Sequence, residues 1–346
     1  MSETRIDSFG QIRTLIGDLF HIRPMVYWTD FTLTMIVAWG SFWMAFQTAS
    51  MGLKGLLLCL STLAFFRGLI FVHEIAHLRG KALPGFRWAW NALCGMMFFL
   101  PGYMYSGHSG HHRIASFSTI DDPEYIPVAY QHPLEILAPL VVFAFVPLVL
   151  ALRSLLVCPI SLAVGGRFRE LLLRHASTLK MNLRFEWRNI SEDDQRESAL
   201  QDVLCIGWWA VFLFLCAWTG EWQILWHWYL IMYGILAINH VRNLAEHRFI
   251  NVAGEKVNFE AQLLDSVTVT GFSPLASILL PVGLRYHSIH HMFPTLPYHA
   301  LRQAEKRLAQ ALPKDHFYFE TLEPTFSVTM LHFVKSVQAH QVARPS

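Results

Sequence analysis

Residues 55–77 read GLLLCLSTLAFFRGLIFVHEIAH, an apolar run that ends in two histidines. A helix needs about 20 mostly apolar residues to cross the hydrocarbon core of a bilayer, and Gly55 to Val72 comes near that length. Ionisable side chains are costly beside lipid, so His73 and His77 at the end of such a run need a reason.

Three more runs approach spanning length: Phe31 to Gln47, Val203 to Trp218, and Trp222 to Ile238. The first two of the four runs are joined by a few residues around Met51. The last two meet at Thr219-Gly220-Glu221, which leaves room only for a tight hairpin. Trp218, Trp222 and Trp226 crowd that turn, as interfacial aromatics do. Composition agrees: 53% of the 346 residues are hydrophobic and 15% charged, with mean hydropathy +0.34, whereas soluble proteins carry about a quarter charged residues. The expected fold is an all-α integral membrane protein with four transmembrane helices in two hairpins. No linker or internal repeat divides it, so 1–346 reads as one domain.

Lys and Arg set the orientation. The first hairpin turn carries only Lys54 and the second carries none. Arg79, Lys81, Arg87 and Arg113 follow the second run, and Arg167, Arg169, Arg174, Lys180, Arg184 and Arg188 precede the third. Both basic segments, with both termini, are expected on the cytosolic side of the membrane. The layout is then a cytosolic N-terminal segment (1–30), a first hairpin (31–72), a cytosolic and interfacial segment (73–202), a second hairpin (203–238) and a cytosolic segment (239–346). Leu134 to Cys158 is also apolar, but Pro139 and Pro147 favour a kinked, re-entrant and non-spanning course. Residues 91–105 and 272–284 are shorter and read as interfacial.

Other classes are disfavoured. A net charge of +2 is too small to argue for nucleic acid. The five cysteines are scattered with no CxxC pair, so neither a disulfide frame nor an iron–sulfur site is expected. No signal peptide is evident. Twelve Trp and 26 Phe suit lipid interfaces and an acyl-lined cavity, or plain aromatic core packing.

Nine histidines fall into four clusters: His73-x-x-x-His77, His108-x-x-His111-His112, Asn243-x-x-x-His247 and His287-x-x-His290-His291. Positions i, i+3 and i+4 share a helix face, so each triplet is expected to point its three rings one way. Asn243 and His240 continue the His247 stripe. One structural zinc takes four ligands and would leave five imidazoles unexplained, whereas two ions would take four or five each. Imidazole suits iron, copper, nickel and zinc alike. Iron is preferred because the inert C–H bonds of lipids call for oxygen activation by a redox metal.

The HxxxH, HxxHH, NxxxH, HxxHH order behind two membrane hairpins resembles the membrane fatty acid desaturases, across roughly residues 25–315. The likeness includes Asp121-Asp122-Pro123-Glu124 and the run from Arg285 to His299. It implies a cytosolic helical cap holding two irons over a four-helix stem, with O2 as co-substrate. Carried over position by position, it makes His73, His77, His108, His111, His112, His247, His287, His290 and His291 the metal ligands. Asn243 would act through water. Asp121, Asp122, Glu246 and His240 are candidates to orient ligand rings. His299 is expected to be structural, and Arg67 to pair with Glu74, hold a head group or snorkel to the interface. The implied activity is insertion of a double bond into a long acyl chain, carried as fatty acid, thioester or lipid. Acyl-chain or alkane hydroxylation is the alternative, and Glu246-His247 is similar to the alkane-hydroxylating branch. With no haem, flavin or cysteine motif of its own, the chain needs an external donor of ferredoxin, rubredoxin or cytochrome b5 type. The basic segment Arg167–Arg188 is a candidate to steer it.

Two readings compete. His73-Glu74-x-x-His77 also fits the HExxH of zinc proteases, but that leaves seven clustered histidines without a task. A metal transporter would place its ionisable groups near the bilayer midplane, whereas these lie at or beyond the helix ends.

Overall fold

The computed structural model describes residues 10–78, 83–251 and 254–342; Arg79 and Lys81 lie outside them. Two long helices open the fold, α1 (Pro24–Gln47) and α2 (Met51–His77). Pro24 begins α1 where no intrahelical N–H is needed, and Ser50 caps the first turn of α2. The pair is antiparallel along its whole length: Tyr27 bonds Glu74, Arg67 bonds Asp30, and Ser61 bonds the Ala38 carbonyl. A second hairpin follows, α3 (Glu192–Thr219) and α4 (Gln223–Glu246). A Ser191–Asp194 capping box starts α3, and Gly220, at φ 74°, ends it in a left-handed turn.

Four helices among the described residues are long and apolar enough to cross a membrane: Met51–His77, Val146–Val164, Glu192–Thr219 and Gln223–Glu246. The number is as expected, but the set differs. Helix α1 is absent from it, since its Tyr, Trp, Thr, Gly and Ser residues dilute the hydropathy. Its three-residue link to α2 nevertheless ties their depths together, so α1 crosses wherever α2 does.

Val146–Val164 enters the set because Pro147 does not break it. That proline sits in the first turn, where its missing N–H costs nothing. The break falls instead at residues 143–145. The contacts nonetheless describe a dip and return. His240 donates to the Ile136 carbonyl, while Tyr229 donates to the Ala144 carbonyl, about 16 Å further along α4 at 1.5 Å per residue. Arg153 then reaches Tyr103, back at the histidine end. The elbow thus lies about three-quarters of the way down the bundle from the histidines, roughly 9 Å short of the far end of α4.

Residues 91–105, expected at the interface, are in the core. Phe86–Trp90 continues through a π-helical turn and a 3-10 turn to Phe98, and Trp90, Cys94 and Met96 to Phe99 are buried. Unpaired backbone in hydrocarbon costs several kcal/mol per group. Here indoles supply the partners: Trp208 donates to Ala92, Trp39 to Leu93, Trp209 to Met96 and Trp228 to Met97, all at 2.8–3.0 Å. Phe99 reverses the chain at φ 56°. A strained non-glycine residue persists there because Trp209 stacks on it at 4.2 Å.

At the histidine end of the bundle lies a layer of shorter helices. Tyr298–Ala311 packs on Ile12, Ile16 and Leu19 of the N-terminal segment, and Phe326–Val342 packs on Leu244 and Phe249.

Candidate metal centre

The histidines reach one place from four directions. His73 and His77 end α2, and His247 follows α4. His108–His111 is a single helical turn, as is most of His287–Met292. The nine rings form two groups, within each of which the ligand nitrogens lie within 4.8 Å of one another: His73, His77, His108, His112 and His290 in one, His111, His247, His287 and His291 in the other.

The triplets do not each point one way, as expected; both are divided. His108 and His112 stand in the first group and His111 in the second, while His287 and His291 stand in the second and His290 in the first. Residues i+3 and i+4 are 100° apart around a helix, so a triplet lodged between two centres sends its i,i+4 pair to one and its i+3 member to the other.

The inward atoms are Nε2. His111 and His247 approach at 3.1 Å, His247 and His287 at 2.9 Å, His287 and His291 at 3.1 Å, His108 and His112 at 3.0 Å, and His112 and His290 at 3.2 Å. Two nitrogens about 2.1 Å from one ion and at right angles around it stand about 3.0 Å apart. On the outer side, carboxylates hold the other ring nitrogens. Asp122 accepts from His111 Nδ1 at 2.9 Å, Glu124 from His108 Nδ1 at 2.7 Å, and Asp265 from His247 Nδ1 at 3.0 Å. A carboxylate on Nδ1 fixes the proton there and turns the Nε2 lone pair inward. Gln262 ties the Nδ1 of His291 to the backbone of His111 and His112.

Electrostatics favour neutral donors. Burial, then the neighbouring imidazoles, push His112, His287, His290 and His291 well below the usual histidine range. Burial also opposes charge on His111, but Asp122 outweighs it and raises this ring to about 9. Facing lone pairs at 3 Å need a cation between them. A proton bridges two nitrogens, whereas one metal ion meets four or five, so the donor set fits two ions. His73 supports this: both its ring nitrogens are buried without a hydrogen-bond partner.

The remaining candidates are dispersed. Asp121, expected to orient a ring, is exposed and pairs with Arg188 at 3.5 Å. Glu246 is buried against Arg242 at 2.6 Å, and no hydrogen bond joins it to a histidine. His240 spends its Nε2 on Ile136, and Asn243 approaches Met181 Sδ at 3.3 Å, one turn from His247. Arg67 pairs with Asp30, not Glu74, and His299 accepts from the Arg23 backbone. Glu74 is held by the Tyr27 hydroxyl and the Tyr298 amide, which takes it from the water-activating position that HExxH proteolysis requires. In the basic segment Arg169 is buried on Asp202 and Arg174 pairs with Glu186, which leaves less charge to steer a donor. Sequence reasoning missed Glu124, Asp265 and Gln262. Glu124 sits beside the quoted Asp121-Asp122 pair and was within reach; Asp265 and Gln262 have no local signal.

Four apolar helices under a convergent histidine centre define an integral membrane protein of the histidine-box class, and the chain belongs to the fatty acid desaturase family, whose profile matches residues 51–322. Among characterised proteins, it is 36% identical over 316 residues to the ceramide hydroxylase of Caulobacter vibrioides (strain NA1000 / CB15N), covering 91% of this chain and 89% of the relative.

Proposed function

We propose that this protein is an O2-dependent di-iron oxidoreductase that hydroxylates a long-chain amide lipid at the cytosolic face of a bacterial inner membrane. The observation that carries the metal assignment is the convergence of nine imidazoles into groups of five and four. Hydroxylation is supported by the identity to a ceramide hydroxylase over nearly the full chain. Desaturation, the outcome expected from the box pattern, is the second reading, favoured by the family profile.

In this reading the nine histidines hold the ions, and bound iron supplies the redox chemistry that a C–H bond demands. Asp122, Glu124 and Asp265 keep Nδ1 protonated and the donor atoms aimed inward. The aromatic core beneath, with Phe98 and Phe99 buried, excludes water from the reacting chain. Electrons come from an external protein of ferredoxin, rubredoxin or cytochrome b5 type.

Expression in a host of defined lipid content, followed by mass spectrometry of its amide lipids and acyl chains, tests the proposal. Gain of one oxygen is expected; loss of two hydrogens would shift the assignment to desaturation, and an unchanged profile under aerobic conditions with donor present would remove it.

A further inference from the structure

Beside the metal centre, at the histidine end of the first hairpin, opens a cleft of about 250 Å³. Arg13, Phe20 and Thr295 form part of its rim, and Tyr27, Glu74 and His77 line it more deeply. His77 belongs to the five-histidine group, so the cleft adjoins the ions' position. It also sits at the ends of α1 and α2, the depth at which the polar head of a membrane lipid lies.

Glu74 gives the cleft its chemistry. The Tyr27 hydroxyl donates to Glu74 Oε2 at 2.5 Å, and the Tyr298 backbone N–H donates to the same oxygen at 3.1 Å. Both bonds fall on Oε2, which leaves Oε1 as the acceptor available to the cleft. A hydroxyl or amide N–H matches it, whereas a carboxylate or phosphate brings acceptor against acceptor. The volume suits a head group: pockets for whole drug-sized ligands run about 300–1,000 Å³, so a long chain must lie elsewhere.

We propose that this cleft receives the head of the lipid substrate and that Glu74 selects heads bearing hydroxyl or amide donors over anionic ones. This rests on the reading of the site as a lipid oxidase and adds which lipids it admits.

The test compares two probes of equal chain length, an N-octanoyl amino-diol and octanoic acid, binding to metal-free full-length protein in lipid nanodiscs. The wild type is expected to bind the amino-diol about tenfold more tightly, the ratio for the net worth of one hydrogen bond. Glu74→Gln is nearly isosteric. Its carbonyl takes over the Tyr27 and Tyr298 bonds and its NH2 faces the cleft, so the preference should invert toward the acid. A purely structural Glu74 would produce no inversion. Equal binding of both probes by the wild type, or a Gln variant that keeps the wild-type order, overturns the proposal. Should Glu74→Gln not fold, Thr295→Trp fills the mouth; about tenfold weaker amino-diol binding supports the proposal and unchanged binding overturns it. Binding is read without metal, so preference without oxidised product would count against the oxidase reading alone. Oxidised product without preference would count against the cleft alone.

Discussion

His111 and His247, far apart in sequence, bring their Nε2 atoms to 3.1 Å while Asp122 and Asp265 hold their Nδ1 atoms from behind. Each carboxylate fixes a tautomer, and together they aim two lone pairs at one point. A metal ion between the rings would accept both lone pairs, and this makes the carboxylates as testable as the histidines.

Asp265→Ala should lower metal affinity about 10–100-fold, the usual effect of losing a partner behind a ligand histidine. Asp121→Ala, whose side chain is exposed and faces Arg188, should leave affinity unchanged. Chelator competition with metal analysis compares the two; equal losses would refute the distinction.

His290→Ala and His111→Ala remove one ring from different groups. Each should reduce bound iron from two per chain toward one and abolish turnover while membrane insertion persists. Full activity in either purified variant would sink the ligand assignment.

The pH dependence of the metal-free protein has two limbs. His112, His287, His290 and His291 titrate below the usual 6.5 in the fold, so under that pH the unfolded chain binds protons that the folded one does not. Stability therefore falls as pH drops through about 6.5. His111, raised to about 9, contributes stability that is complete below 6.5 and lost as pH rises through 9. Thermal unfolding between pH 5 and 10 should peak near pH 6.5, where the limbs meet; a flat acid limb would contradict neutral buried rings.

Topology separates the hairpins from the dip. A reporter after Gly220 should read opposite to one after Arg188. A cysteine at Ala144, placed about 9 Å inside the far end of α4 by its bond to Tyr229, should resist aqueous thiol reagents from both sides. Labelling from the far side would make that segment a crossing.

Replacing Trp228 by Phe removes the indole that satisfies the Met97 carbonyl. About 1–3 kcal/mol of destabilisation is expected for a buried acceptor left unpaired, measured as a lowered unfolding midpoint. No shift would show that another donor serves that carbonyl.

The long apolar runs and the histidine spacings were legible in the chain because both are local periodicities: hydropathy over about 20 residues, and ligands one helical turn apart. Bilayer length and helix pitch fix those without reference to the rest of the fold. The tertiary structure alone decided how the triplets divide between two centres, because 100° between neighbours has meaning only once a ligand group exists on each side. It also decided that Asp265 and Gln262, rather than Asp121 or Glu246, stand behind the rings, since hydrogen bonds across distant segments leave no spacing to read. The buried course of 86–98 belongs with them: its irregular backbone is tolerable only where tryptophans from three other helices arrive to pair with it.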